Sequence, residues 1–94
     1  MRMKNEKVIE NFVSRNNSRN IESHTQNLYT NNDGTKLINY RTTLAKFDFD
    51  TMTLYVNTTK YSVTTSKIQN YLKRELQYLH NFKIEYVEHK ALNN

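Results

Sequence analysis

Residues 57–70 read NTTKYSVTTSKIQN. Where this stretch stops being strand and becomes helix decides the fold. The residues before it alternate with a period of two, and those after it repeat with the period of a helix. Ser66-Lys67-Ile68-Gln69 matches the S-x-x-Q capping box. In that motif the Ser66 hydroxyl accepts from the Gln69 N–H, and the Gln69 side chain reaches back to the N–H of Ser66. A helix is therefore predicted over 66–79. Ile68, Leu72, Leu76 and Leu79 fall on one apolar stripe, Tyr71 and Tyr78 flank it, and Lys73, Arg74, Glu75 and Gln77 lie off it. Thirteen helical residues cover about 20 Å, as six residues of strand do, so such a helix crosses a sheet once.

Working back, Met52, Leu54 and Val56 alternate with Thr51, Thr53, Tyr55 and Asn57, which predicts a strand. Asp48-Phe49-Asp50-Thr51 reads as a turn. Ile38, Tyr40, Thr42 and Leu44 alternate with Leu37, Asn39, Arg41 and Thr43, which predicts one strand through 37–44. Asp33-Gly34 suits a hairpin, because glycine takes positive φ without a steric penalty, and Leu28–Thr30 is then the first strand. Residues 16–26 are polar apart from Ile21 and read as a mobile linker, while Val8, Ile9, Phe12 and Val13 give residues 3–16 one helical face. Working forward, Phe82, Ile84 and Tyr86 alternate with Lys83, Glu85 and Val87. This predicts a last strand, parallel to the strand at 51–57 and beside it or beside the first. Residues 89–94 are expected to fray. The expected fold class is α+β, with a short N-terminal helix, a three-stranded antiparallel meander, one helix packed on the sheet and a final C-terminal strand. One domain is expected over 1–94, with 1–26 as helix plus linker, 27–88 as the α+β core and 89–94 as tail.

Composition sets bounds on function. The chain has 94 residues, of which 36% are hydrophobic, below the roughly 45–50% of ordinary soluble domains. Seven tyrosines are already counted in that share, and they bury well while keeping a polar tip. There is no cysteine, which removes disulfides, thiolate chemistry and Cys-type zinc sites together. No apolar run approaches the ~18 residues of a membrane helix, and the start MRMKNEKVIENFV lacks the apolar core of a secretory signal. A cytoplasmic protein without membrane contact is expected. The net charge is +5, a balance that favours phosphates, nucleic acid or an acidic partner.

Several side-chain groups are candidates for chemistry. Lys67 and Arg74 are seven apart and share a helical face. With Lys73, Lys60 and Arg41 they form a candidate strip against a nucleic-acid backbone. The plainer reading is a solvated face diluted by Glu75. The hydroxyls of 57–70, with Ser66 and Gln69 at a helix start, form a candidate anion site. Their plainer use is to cap the helix and close the strand. Tyr40 and Tyr55 are candidates for base stacking, against a half-buried core role. A Walker loop is excluded, because no glycine follows Gly34. His24, His80 and His89 have no helical ligand spacing, so no metal or cofactor is expected. Ser62 or Ser66 with His24 or His89 and Asp48 or Asp50 lacks any nucleophile-elbow motif, and no catalytic residue is expected.

Two segments, L-I-N-Y-R-T-T-L-A-K-F-D at 37–48 and N-T-T-K-Y-S-V-T-T-S-K-I-Q at 57–69, resemble a family of small uncharacterised proteins from phages, plasmids and low-GC Gram-positive bacteria. Y-S-x-T-T-S-K is the most specific part, and the likeness covers roughly residues 35–72. The abundance of Asn, Lys, Tyr, Thr and Ile agrees with such an AT-rich origin. The resemblance implies no activity and no site residue. It implies a setting, that of an accessory protein of a mobile element. Two functional expectations follow. The first is a non-enzymatic module that engages nucleic acid or a host nucleoprotein through a basic face. The second is a phage-encoded inhibitor of a host enzyme or a CRISPR-type defence complex that acts by protein–protein binding. A homodimer is compatible with either.

Overall fold

The computed structural model describes residues 2–14 and 20–93. In chain order the elements are β1 (Arg2–Met3), α1 (Asn5–Ser14), β2 (Glu22–Ser23), β3 (Leu28–Thr30), β4 (Lys36–Asn39), β5 (Thr42–Asp48), β6 (Thr53–Asn57), α2 (Val63–Glu75), β7 (Lys83–Val87) and α3 (His89–Leu92). Residues Leu76–Tyr78 tighten the end of α2 into a 3-10 turn. The strands form one mixed sheet in sequence order. Its outer pairs, β1 with β2 and β6 with β7, are parallel, and the inner pairs are antiparallel. The fold is α+β, but the three-stranded meander with one packed helix is overturned by seven strands and three helices.

The main correction falls on residues 37–44. Their alternation runs unbroken through a hairpin turn at Tyr40-Arg41, because the two turn residues stay in phase with the strands on either side. Tyr40 has φ 58°, a left-handed conformation that disfavours any residue with a Cβ. The fold holds it there: its N–H donates to Asn27 O at 2.7 Å, and its carbonyl accepts from Tyr29 Oη at 2.9 Å. Past the turn the register shifts, so that Leu37 faces Ala45 but Ile38 faces Thr43. Leu44 is the extra residue of a bulge, which places Leu44 and Ala45 side by side in the core, both fully buried.

In two segments expected to be loose, the described residues carry regular structure. Of the linker at 16–26, residues 16–19 lie outside the described residues, but the remainder carries β2. Ile21 is buried in the core and donates its N–H to Thr30 Oγ1, and Ser23 Oγ accepts from the N–H of Leu28. The tail forms α3, which packs on β5. Beyond the Ala45–Val56 pair the β5–β6 ladder ends, and asparagine side chains take over the backbone of Thr43. Asn93 Oδ1 accepts from its N–H at 2.6 Å, and its carbonyl accepts from the amides of Asn57 and Asn93, each at 3.1 Å.

Helices α1 and α2 pack together over one face of the sheet. Val8, Ile9, Phe12 and Val13 of α1 meet Ile68 and Leu72 of α2 and Leu76 just beyond it, above Leu37, Phe47, Leu54 and Val56. The stripe read from the sequence is thus the packed face, with Leu79 half-buried at its end. Helix α2 begins earlier than expected. Its N-cap is Ser62, whose Oγ accepts from the Thr65 N–H at 3.2 Å, and Ser66 lies inside the first turns with its N–H on Ser62 O. Ser62→Ala should therefore lower stability by about 1 kcal/mol. Ser66→Ala should stay within about 0.5 kcal/mol of wild type, as surface changes do. Urea unfolding midpoints test this, and a larger loss at Ser66 than at Ser62 would place the cap wrongly.

Candidate nucleic-acid interface

The route from β6 into α2 has neither glycine nor proline, so side chains must hold it. Asn57 ends β6 fully buried. Its amide donates to Thr43 O and to Tyr61 Oη, and its Oδ1 accepts from the Thr59 N–H at 2.9 Å. Gln69, one helical ridge away, donates to both Asn57 O and Thr59 O at 3.0 Å. Thr65 Oγ1 donates to Asn39 Oδ1 at 2.7 Å. Tyr61 Oη shares a 2.6 Å hydrogen bond with His89 Nδ1, and the His89 N–H donates to Thr59 Oγ1. Within the hydroxyl-rich stretch, buried Asn57, Thr65 and Gln69 and half-buried Thr59 and Tyr61 therefore form a knot between β6, α2 and α3. Gln69 is a clamp on the loop and not the return arm of a capping box.

This knot anchors the N-terminal part of α2 to the sheet and the loop, and the candidate cations ride on that helix. Lys67, Lys73 and Arg74 are exposed on α2, and Lys60 is exposed on the preceding loop. They divide between two depressions. Lys60 and Lys73 line one of about 340 Å³ together with Asn57, Thr58, Ser66, Gln69 and Asn70, a lining that contains no acidic residue. Lys67 and Arg74 line another of about 420 Å³ between α1 and α2, shared with Glu6 and Tyr71. Asn70 lines both and forms the ridge between them. Among the described residues none of these four cations makes an ion pair; the pairs found are Arg2–Glu22 and Lys7–Glu10. Arg41 sits in the β4–β5 turn and lines neither depression.

An aromatic that the sequence did not single out stands beside the cations. Tyr86 of β7 is 56% exposed, with Lys73 Nζ 5.9 Å from its ring centre. Its neighbourhood depends on β7 lying parallel to β6 and beside it, one of the two placements expected from the sequence, and on a register that sets Val56 opposite Tyr86, which no local pattern specifies. Of the tyrosines first considered, Tyr40 is exposed in its turn, away from both depressions. Tyr55 is half-buried beside Lys46 and Lys36 on the sheet face away from α1 and α2. Three of the residues weighed for catalysis have local roles. Ser62 caps α2, His89 holds Tyr61, and Asp48 Oδ1 accepts from the N–H groups of Asp50 and Thr51 in its turn. Among the described residues no group of three or more His, Asp or Glu side chains could hold a metal ion. None of their helices is long and apolar enough to cross a membrane.

The wall between α1 and α2 is closed by a charged hydrogen bond. Tyr71 Oη donates to Glu10 Oε2 at 2.7 Å, and the Arg74 guanidinium lies 5.4 Å over the Tyr71 ring. The Tyr71 bond, with Lys7 adding to it, holds the Glu10 carboxyl below its ordinary value. The same bond pushes the Tyr71 phenol up to about 12. A carboxyl lowered by folding stabilises above its unfolded value of 4.5 and loses that contribution as pH falls through its folded value. A phenol raised by folding stabilises fully below 10.0 and loses that contribution between there and about 12. The thermal midpoint of wild type should therefore exceed that of Tyr71→Phe most near neutral pH, with the gap narrowing at both acid and alkaline extremes. A gap that is constant across pH would show that the bond does not form.

No protein-family model, curated protein or solved structure matches this chain.

Proposed function

We propose that this chain is a small non-enzymatic binding module of a mobile genetic element that engages nucleic acid, or a nucleoprotein, through the outer face of α2. The observation that carries the reading is the meeting of Lys60 and Lys73 with Lys67 and Arg74 across Asn70, four cations without an ionic partner among the described residues. Phosphates spaced along a strand are the polyanion that such a ridge fits, and Tyr86 beside Lys73 supplies an aromatic surface at its margin. The mobile-element setting rests on the family resemblance of residues 35–72.

Binding to mixed-sequence duplex DNA and to single-stranded RNA across a salt series tests this. Neutralising about four phosphates predicts log K falling with log salt at a slope of roughly −3.6 on duplex and −2.8 on single strands. Lys60→Glu with Lys73→Glu, and separately Lys67→Glu with Arg74→Glu, should each lower the slope by about 2 in magnitude. Absence of binding at low salt overturns the reading. Slopes unchanged by either pair would place the contact on another face.

A further inference from the structure

Strand β7 pairs with β6 alone and ends the sheet. The Lys83 N–H donates to Met52 O and the Val87 carbonyl accepts from the Thr58 N–H, so the backbone groups of residues 83, 85 and 87 point towards β6. Because backbone groups alternate sides along a strand, those of Ile84 and Tyr86 point away from the sheet, at its edge. Natural edges of this length are usually blunted, often by a lysine. Lys83 alone would do this, but Glu85 follows two residues later on the same face, and both are exposed.

We infer that the β7 edge is a homodimer interface, in which a second copy of the chain pairs antiparallel about Ile84 and the two sheets run on as one. The register follows from the backbone. A two-fold contact must set even residues against even ones, since those carry the outward groups. Centring on Lys83 or on Glu85 sets each against its own copy, which like charges disfavour. Centring on Tyr86 sets Glu85 against Val87 and Ile84 against Glu88. Centring on Ile84 sets Lys83 against Glu85 twice and Phe82 against Tyr86 twice. It makes Ile84 with its copy a hydrogen-bonded pair. The two Lys–Glu pairs then occupy the non-hydrogen-bonded sites, where opposite side chains approach most closely. The surface is self-complementary, as an isologous two-fold interface requires. This inference goes beyond the nucleic-acid reading and does not rest on it.

Charge exchange tests it with the full chain. Light scattering across a micromolar-to-millimolar series should show wild type at twice the 11.3 kDa mass of one chain. Lys83→Glu alone sets two Glu–Glu contacts across the axis, and Glu85→Lys alone sets two Lys–Lys contacts. Each should weaken the dimer on the order of tenfold to a hundredfold, with far-UV circular dichroism unchanged. Mixing the two variants in equal amounts restores both opposite-charge pairs, so the mixture should return to dimer mass as a heterodimer. A monomeric wild type, single variants that remain dimeric, or a mixture that stays monomeric would each overturn the inference. Nucleic acid is absent from all of these measurements, so failure of the basic ridge to bind it would leave their outcome unaffected.

Discussion

The structure depends on how the chain leaves β6 for α2. Asn57 is buried completely at that point, and its amide has to be satisfied within the protein. A buried polar group left unpaired costs about 1–3 kcal/mol, so the position is tolerated only when all its partners are in place. They come from two elements, Thr43 on β5 and Thr59 and Tyr61 on the loop, while Gln69 on α2 donates to the backbone carbonyl of the same residue. Through Tyr61 and Thr59 the same set reaches His89 and thus the last helix. An apolar core positions α2 only approximately, because hydrophobic contact is not directional. The asparagine and glutamine bonds define its height and rotation over the sheet, and therefore where its lysines point.

A second constraint is the near absence of glycine. Five described residues take positive φ, and only Gly34 among them is glycine. Gln26, Tyr40, Met52 and Asn81 occupy the left-handed region at the remaining tight connections. Asparagine tolerates that region, while Gln26, Tyr40 and Met52 occupy it at a cost of order 1 kcal/mol or more. This explains how much of the fold could be read from the sequence. The Asp33-Gly34 and Asp48–Thr51 turns use residues whose local chemistry announces them, and the Ile68–Leu72–Leu76 stripe shows the period of its helix. The Tyr40-Arg41 turn has no such residue and was hidden inside an unbroken alternation. The bulge at Leu44 breaks the period of two where the core needs two adjacent apolar residues. Strand β2 and helix α3 are polar segments ordered by hydrogen bonds to distant residues, Thr30 for one and Thr43 and Thr59 for the other.

The candidate site was legible to a similar degree. A spacing of seven places Lys67 and Arg74 on one side of a helix, and they do share a depression. The separation of Lys73 towards Lys60 follows from the one further residue of rotation, about 100° around the axis, combined with the loop fold that Asn57 and Gln69 impose. Local pattern does not fix that loop, so the two-sided ridge was not foreseeable. Ser66 and Gln69 were matched to a motif that fits equally well one turn into a helix as at its start. Ser62-Val63-Thr64-Thr65 offers a hydroxyl cap as well, and burial of Thr65 against Asn39 selects it.

Charge along α2 separates the two explanations of its lysines. Cations in the last turn of a helix stabilise the partial negative charge there, so Lys73 and Arg74 have a sufficient reason in helix stability alone. Lys60 and Lys67 do not. Lys60 lies just before the N-terminus of α2, where the helix field is positive and acidic residues are favoured, and Lys67 lies beyond the first turn, where neither end favours a cation. The first turn of α2 contains no acidic residue. A helix arranged only for its own stability would place an aspartate or glutamate there, as α1 places Glu6 in its first turn. The chain instead places Lys60 just ahead of α2 and Lys67 one turn in, so the charge near this end is not arranged for the stability of the helix.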